Sequence, residues 1–107
     1  MDIKKISAEE VKECIPLVVG GKIHLIDVRT EEEWEAGHAP GAIHFELGRL
    51  EKGELPDLPK DADICTCCAA GGRAEIAKNI LLKNGFTKVR NMGGLRDWKI
   101  AGGEVVK

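Results

Sequence analysis

The chain has 107 residues, 43% of them apolar and 32% charged, with a formal net charge of -2 at pH 7. These proportions are typical of one soluble globular domain and exclude an intrinsically disordered chain. A weakly acidic chain with two Trp, two Phe and no Tyr lacks the basic surface and the stacking rings that nucleic acids require. No apolar run approaches the roughly 20 residues of a transmembrane helix, so neither nucleic acid nor membrane is an expected partner.

The N-terminus and the cysteines indicate a compartment. Residues 1–5 lack the apolar core of a signal peptide, although a chain already freed of a leader would look the same. Cys14, Cys65, Cys67 and Cys68 are the four cysteines, and three of them within four positions make a poor framework for long-range disulfides. We therefore expect a reducing, cytoplasmic setting.

The first predicted element is a helix. Ser7 and Glu10 form the S-x-x-E pattern of a capping box, and an apolar stripe continues from there to Val18. Pro16 lies inside this stripe, where a proline is expected to kink or end the helix.

Short strand-like runs and helical patterns alternate after this helix. The predicted strands span 23–28, 42–45, 63–67 and 88–90. The predicted helices span 31–36, the segment from Gly72 to the Asn84-Gly85 stop signal, and 95–100. A loop is expected over 51–60 and a turn over 92–94. This alternation predicts an α/β fold over 1–107, with a mainly parallel sheet and helices on both faces.

The segment after the third predicted strand carries the chemistry. Ligands of parallel sheets bind beyond the carboxyl ends of the strands. There the sequence reads Cys67-Cys68-Ala69-Ala70-Gly71-Gly72-Arg73. The free N–H groups and the dipole at a helix N-terminus favour a thiolate over a thiol, and small side chains let the loop curl around the sulfur. The pattern therefore predicts a nucleophilic cysteine rather than a buried inert one.

Four segments resemble the single-domain rhodaneses, a family of sulfurtransferases. Residues 26–29 resemble the family's D-V-R strand end, and residues 33–42 its E-[aromatic]-x-x-G-H-I-P-G-A segment. Residues 68–73 resemble the C-x-x-G-x-R active loop, and residues 84–98 the G-F…L-x-G-G-x-x-x-W ending. Each string is weak alone, but their order and spacing make the resemblance specific over nearly the whole chain.

The resemblance implies a small domain with a central sheet of about five strands. It also implies a reaction in which Cys68 takes a sulfane sulfur from thiosulfate, a persulfide or a polysulfide and passes it to cyanide, a small thiol or a protein thiol. The N–H groups of residues 69–73 would stabilise the Cys68 persulfide, and neither a metal nor an organic cofactor is needed. Asp27, Arg29 and Glu33 are the supporting residues implied, with Arg29 pairing with Glu33 or a neighbour to brace the loop.

The sequence leaves alternatives open for both the identity of the nucleophile and the function. Cys68 and Arg73 have the C-x4-R spacing of the sulfurtransferase loop, whereas Cys67 and Arg73 have the C-x5-R spacing of the related phosphatases and arsenate reductases. A third alternative is a non-catalytic persulfide carrier. Ala69 and Ala70 stand where many family members carry Arg or Lys, so we expect the dianion thiosulfate to be a poor donor.

The sequence gives less support to two further roles for the cysteine cluster, a metal site and a resolving thiol. A zinc site generally needs a second pair of ligands, which the sequence lacks, so no metal is expected. Cys67 could resolve the Cys68 persulfide, but a disulfide between adjacent residues closes a strained ring.

Overall fold

The computed structural model describes all residues from 1 to 107. The strands are β1 His24–Asp27, β2 Ile43–His44, β3 Asp63–Cys68 and β4 Lys88–Gly94. The helices are α1 Ala8–Val19, α2 Glu31–Ala36, α3 Leu47–Glu51, α4 Gly72–Lys83 and α5 Leu95–Ile100. None of these helices is long and apolar enough to cross a lipid bilayer.

All four strands pair in parallel, in the order β2-β1-β3-β4. The predicted parallel sheet is therefore confirmed, with four strands against an expectation of about five. The place beside β4 is taken only by an isolated bridge between Lys5 and Asn91. The carboxyl ends of β1 and β3 lie side by side at one edge, where Asp27 is in register with Cys67.

The sheet separates two apolar clusters. On one face, the side chains of α3 and α4 pack on Ile26, Ile64 and Cys68. On the other face, those of α1 and α5 pack on Leu25, Cys65 and Cys67. The predicted helices on both faces are thus confirmed, and the alternation of side chains along β3 assigns each cysteine to one face.

Two helices differ from the expectation. α1 does not end at Pro16 but continues to Val19; the hydrogen bond that Pro16 cannot donate would have reached the carbonyl of Lys12, an exposed residue. α3 was not predicted, since its N-cap, Glu46, makes no side-chain capping hydrogen bond and gives no start signal.

β4 also corrects the sequence interpretation. A strand was predicted over 88–90 and a turn over 92–94, but β4 runs unbroken to Gly94. Its register against β3 shifts after Asn91, so that Met92 is an extra residue and Gly93 pairs with Cys67. Such a bulge twists a strand locally and often lies beside a functional site.

Candidate active site

The sulfur of Cys68 lies where β3 turns into the loop before α4. Its Sγ accepts a hydrogen bond from the backbone N–H of Gly71 at 3.0 Å. Gly71 has φ +111°, in the left-handed region that favours glycine, and it forms the N-cap of α4. Of the expected N–H groups of residues 69–73, Gly71 supplies the one hydrogen bond to Sγ. Cys68 is 2% exposed, whereas Ala69 and Ala70 are open to solvent.

The loop rests on the end of β4. A Cβ atom built on Gly94 would overlap the carbonyl group of Ala69, so only glycine permits this approach. The Gly93-Gly94 pair is the sequence signal for this support. Two adjacent glycines are also typical of a turn, which is the structure predicted for them from the sequence. The pair instead lets the backbone of β4 lie directly against the loop that carries Cys68.

Arg73 is bound to Glu33. The guanidinium donates to both carboxylate oxygens, with Nη1 2.6 Å from Oε1 and Nη2 2.9 Å from Oε2. The hydrogen bonds from Arg73 are the main cause that lowers the pKa of Glu33 to about 2. Glu33 also completes the capping box of α2 with Thr30. The pair therefore joins α2 to the first turn of α4, and the charge of Arg73 is already compensated.

Of the two expected kinds of partner, Glu33 or a neighbour, Arg29 pairs with the neighbour Asp27. Its guanidinium is paired with Asp27, with Nη2 2.8 Å from Oδ2, and Nη2 also donates to the carbonyl oxygen of Gly37 at 2.7 Å. The hydrogen bonds with Asp27 raise the pKa of Arg29. Both side chains are buried, so this pair holds Gly37, the C-cap of α2, to the end of β1. Glu33 is not part of it.

Cys67 is placed differently from Cys68. Its side chain belongs to the cluster under α1 and α5, in register with Asp27, and it is fully buried. Burial, reinforced by the negative charge of Asp27, raises the pKa of the Cys67 thiol well above its usual range. Burial also raises the pKa of Cys65, to about 12. Both residues are therefore held as neutral thiols on the face opposite Cys68.

The cysteines are not arranged as a metal site. All four are free thiols. Nowhere in the structure do three or more His, Cys, Asp or Glu side chains gather in a way that could hold a metal ion. The C-x-C-C run splits between the two faces of the sheet because side chains alternate along a strand.

Comparison with known proteins agrees with this architecture. A family model, the rhodanese-like domain, matches residues 8–101. The chain belongs to the rhodanese-like family. The matched segment of this rhodanese-like domain includes the Cys68 loop, both arginine–carboxylate pairs and the Gly93-Gly94 support.

Several relatives of this rhodanese-like domain have names that describe sulfur chemistry. YrkF of Bacillus subtilis (strain 168), named as a candidate sulfur carrier protein, is 37% identical over 90% of the chain, and the chain spans about half (51%) of its length. Thiosulfate sulfurtransferase PspE of Escherichia coli (strain K12) is 37% identical over 69% of the chain and 72% of its own length. The solution structure of the rhodanese-like domain of Alr3790 from Anabaena sp. superposes with a TM-score of 0.79 at 28% identity, over 99% of this chain and 80% of that one.

Proposed function

We propose that residues 1–107 form one rhodanese-like domain that transfers sulfane sulfur through Cys68. The Cys68 thiolate attacks the outer sulfur of a donor, a new S–S bond forms, and the donor's own S–S bond breaks to release a thiolate or sulfite. An acceptor thiolate or cyanide then attacks the outer sulfur of the Cys68 persulfide. That step regenerates the Cys68 thiolate, so no outside oxidant or reductant is consumed.

The hydrogen bond from the Gly71 N–H to Cys68 Sγ is the observation that carries the proposal. An N–H group aimed at sulfur from the start of a 12-residue helix stabilises negative charge on that atom. Negative charge resides on Sγ both before the attack on the donor and when the acceptor displaces it. The same donor therefore assists both halves of the reaction.

The charges around the loop favour an organic persulfide or organic polysulfide donor over thiosulfate. Ala69 and Ala70 form the exposed part of the loop and bring no charge. Arg73, the cation nearest in sequence, is held by Glu33. A dianion would meet no uncompensated cation from the loop, so we expect kcat/KM to be higher for an organic persulfide, whose sulfur chain carries at most one negative charge, than for thiosulfate.

The environment of Cys67 disfavours the phosphatase and arsenate reductase alternative. That reaction needs Cys67 as a thiolate within the loop, but its thiol is buried on the other face with a raised pKa. The same placement disfavours Cys67 as a resolving thiol. Four free cysteines fit the reducing, cytoplasmic setting that we propose for the reaction.

Intact-mass spectrometry combined with a turnover assay tests the proposal. After incubation with inorganic polysulfide and removal of excess donor, one protein molecule should gain about 32 Da, the mass of one sulfur atom. Added cyanide should remove that mass and release thiocyanate. An unmodified mass with polysulfide, thiosulfate and an organic persulfide, or turnover of an aryl phosphate, would contradict the proposal.

A non-catalytic sulfur carrier is the second candidate. The similarity to YrkF favours this candidate. The burial of Cys68, which is only 2% exposed, also favours it. A carrier would take up one sulfur in a single turnover but release it too slowly for repeated cycles. Thiocyanate formed in large excess over protein decides for the enzyme, and a yield of about one per chain decides for the carrier.

A further inference from the structure

Asn91 is the β4 residue just before the bulge, and its side chain reaches the loop that carries Cys68. Its side chain is 1% exposed, and each polar atom has a partner. Nδ2 donates to the carbonyl oxygen of Gly71 at 3.0 Å and to Glu75 Oε1 at 3.1 Å, while Oδ1 accepts from the N–H of Gly93 at 2.8 Å. One buried amide therefore joins the Cys68 loop, α4 and the β4 bulge.

The partners of Asn91 allow one orientation of its amide. A carbonyl oxygen and a carboxylate oxygen can only accept, and a backbone N–H can only donate. Reversing the amide would set its oxygen against two acceptors and its nitrogen against a donor. The side chain is thus locked by charge and geometry, which makes it a rigid anchor for the loop.

Asn91 is connected to the reactive sulfur through a single residue. Gly71 donates its N–H to Cys68 Sγ and receives at its carbonyl oxygen the hydrogen bonds of Asn91 Nδ2 and the Glu75 N–H. Glycine has wide freedom in φ and ψ, so the N–H direction is fixed only if both peptide groups of Gly71 are held. Asn91 and α4 hold the group on the carbonyl side.

Glu75 completes the anchor from the other side. It is buried, it pairs with Lys78 at 2.9 Å, and its Oε1 also accepts from the backbone N–H of Lys4 at 3.0 Å. Burial acts against its charge, but the hydrogen bonds from Lys78, Asn91 and Lys4 together lower its pKa. The carboxylate therefore stays an acceptor and keeps the Asn91 amide in place.

We propose that Asn91 is a positioning residue for the sulfur chemistry, because it aims the Gly71 N–H at Cys68 Sγ without touching the substrate. The inference rests on the proposed transfer through Cys68. Without the Asn91 donor the Gly71 N–H samples other directions, so negative charge on Sγ is less stabilised and the nucleophile is weaker.

The test compares Asn91→Asp and Asn91→Ala with Thr66→Val. Thr66 is a matched control, since it is the register partner of Asn91, is equally buried, and donates to the Ala74 carbonyl oxygen at 2.8 Å without a hydrogen bond to Gly71. Two rate constants are measured at Cys68: sulfur uptake from inorganic polysulfide, and alkylation by iodoacetamide, which needs no sulfur transfer.

We expect both rate constants to fall about tenfold in the Asn91 variants and to stay within about twofold in Thr66→Val. Rate constants that fall no further than in Thr66→Val overturn the proposal. A loss accompanied by alkylation of Cys65 and Cys67 also overturns it, because that pattern reports a loosened core rather than a misdirected N–H.

Two further outcomes are defined in advance. If circular dichroism shows that one Asn91 variant does not fold, the other decides: Asn91→Asp keeps the side-chain volume but sets an oxygen against the acceptors of Gly71 and Glu75, whereas Asn91→Ala removes the donor without that repulsion. If the wild-type protein is alkylated at Cys68 but takes up no sulfur, the proposed function is wrong, and the alkylation rates alone judge the role of Asn91.

Discussion

Cys67 and Cys68 are neighbours in the chain but occupy opposite faces of the sheet. Cys68 lies on the α4 side and receives the Gly71 N–H, whereas Cys67 lies on the α1 and α5 side next to Asp27. Both are buried, so exposure does not distinguish them. The two cysteines differ in what surrounds the sulfur. The sulfur of Cys68 accepts a hydrogen bond from an N–H group, whereas that of Cys67 lies among apolar side chains and near the Asp27 carboxylate.

The two arginine–carboxylate pairs show a similar contrast. Asp27 and Arg29 are almost completely buried, while about a third of the Glu33 and Arg73 side chains is exposed. The buried pair braces the end of β1, and the exposed pair ties α2 to α4. Breaking a buried pair strands a charge away from water, so the two pairs should differ in their contribution to stability.

Exchanging each cysteine for serine gives the largest expected effect. Cys68→Ser should lower kcat for thiocyanate formation by at least about 1,000-fold, because the proposed nucleophile is lost. Cys67→Ser is the matched control and should keep most of the activity. Loss in Cys67→Ser with activity retained in Cys68→Ser would assign the reaction to the other face.

Asp27→Asn tests the buried pair. It leaves the Arg29 guanidinium buried without its counterion, so the free energy of unfolding should fall by about 3–5 kcal/mol. Urea unfolding followed by circular dichroism measures the change. A loss below about 1 kcal/mol would mean that water reaches Arg29 and that the contrast between the pairs is smaller than described.

Gly94→Ala tests the support of the loop by β4. The added methyl group would overlap the Ala69 carbonyl, so we expect a loss of about 1–3 kcal/mol in unfolding free energy together with slower sulfur uptake. Gly48→Ala is the control, since a Cβ atom at that position meets nothing. Equal behaviour of the two variants in urea unfolding and in the uptake assay would show that the loop does not depend on Gly94.

Glu33→Gln gives the smallest expected loss of stability, about 1 kcal/mol, because solvent screens this pair. The pKa of Glu33 is lowered from 4.5 to about 2 in the folded protein. The stabilisation that the ionised Glu33 side chain gives to the fold is therefore fully present above pH 4.5 and is lost as the pH falls toward 2. The stability difference between wild type and Glu33→Gln should shrink over that window in thermal unfolding experiments. A constant difference would assign it to another cause.

The features that the sequence predicted are those with local signals. The Ser7–Glu10 capping box forms as expected, since its two residues are only three positions apart in the chain. The Gly71-Gly72 start of α4 is likewise readable, because the left-handed conformation at Gly71 requires glycine. The family and the parallel sheet followed from several such signals in a fixed order.

The features that the sequence did not predict depend on distant partners. Arg73 binds Glu33, 40 residues away, and charge patterning alone could not identify this partner. The bulge after Asn91 arises from pairing between β3 and β4. Gly93 and Gly94 resemble a turn until the neighbouring strand is present.

Mapping the transferred sulfur to one cysteine tests the central claim most directly. Wild-type protein is loaded with inorganic polysulfide, the persulfide is trapped by alkylation, and the peptides are sequenced by mass spectrometry. Fragment ions from backbone cleavage between Cys67 and Cys68 should place the additional mass of about 32 Da on Cys68 alone. The same mass on Cys67, or spread over both residues, would contradict the claim that the Gly71 N–H selects the reactive sulfur.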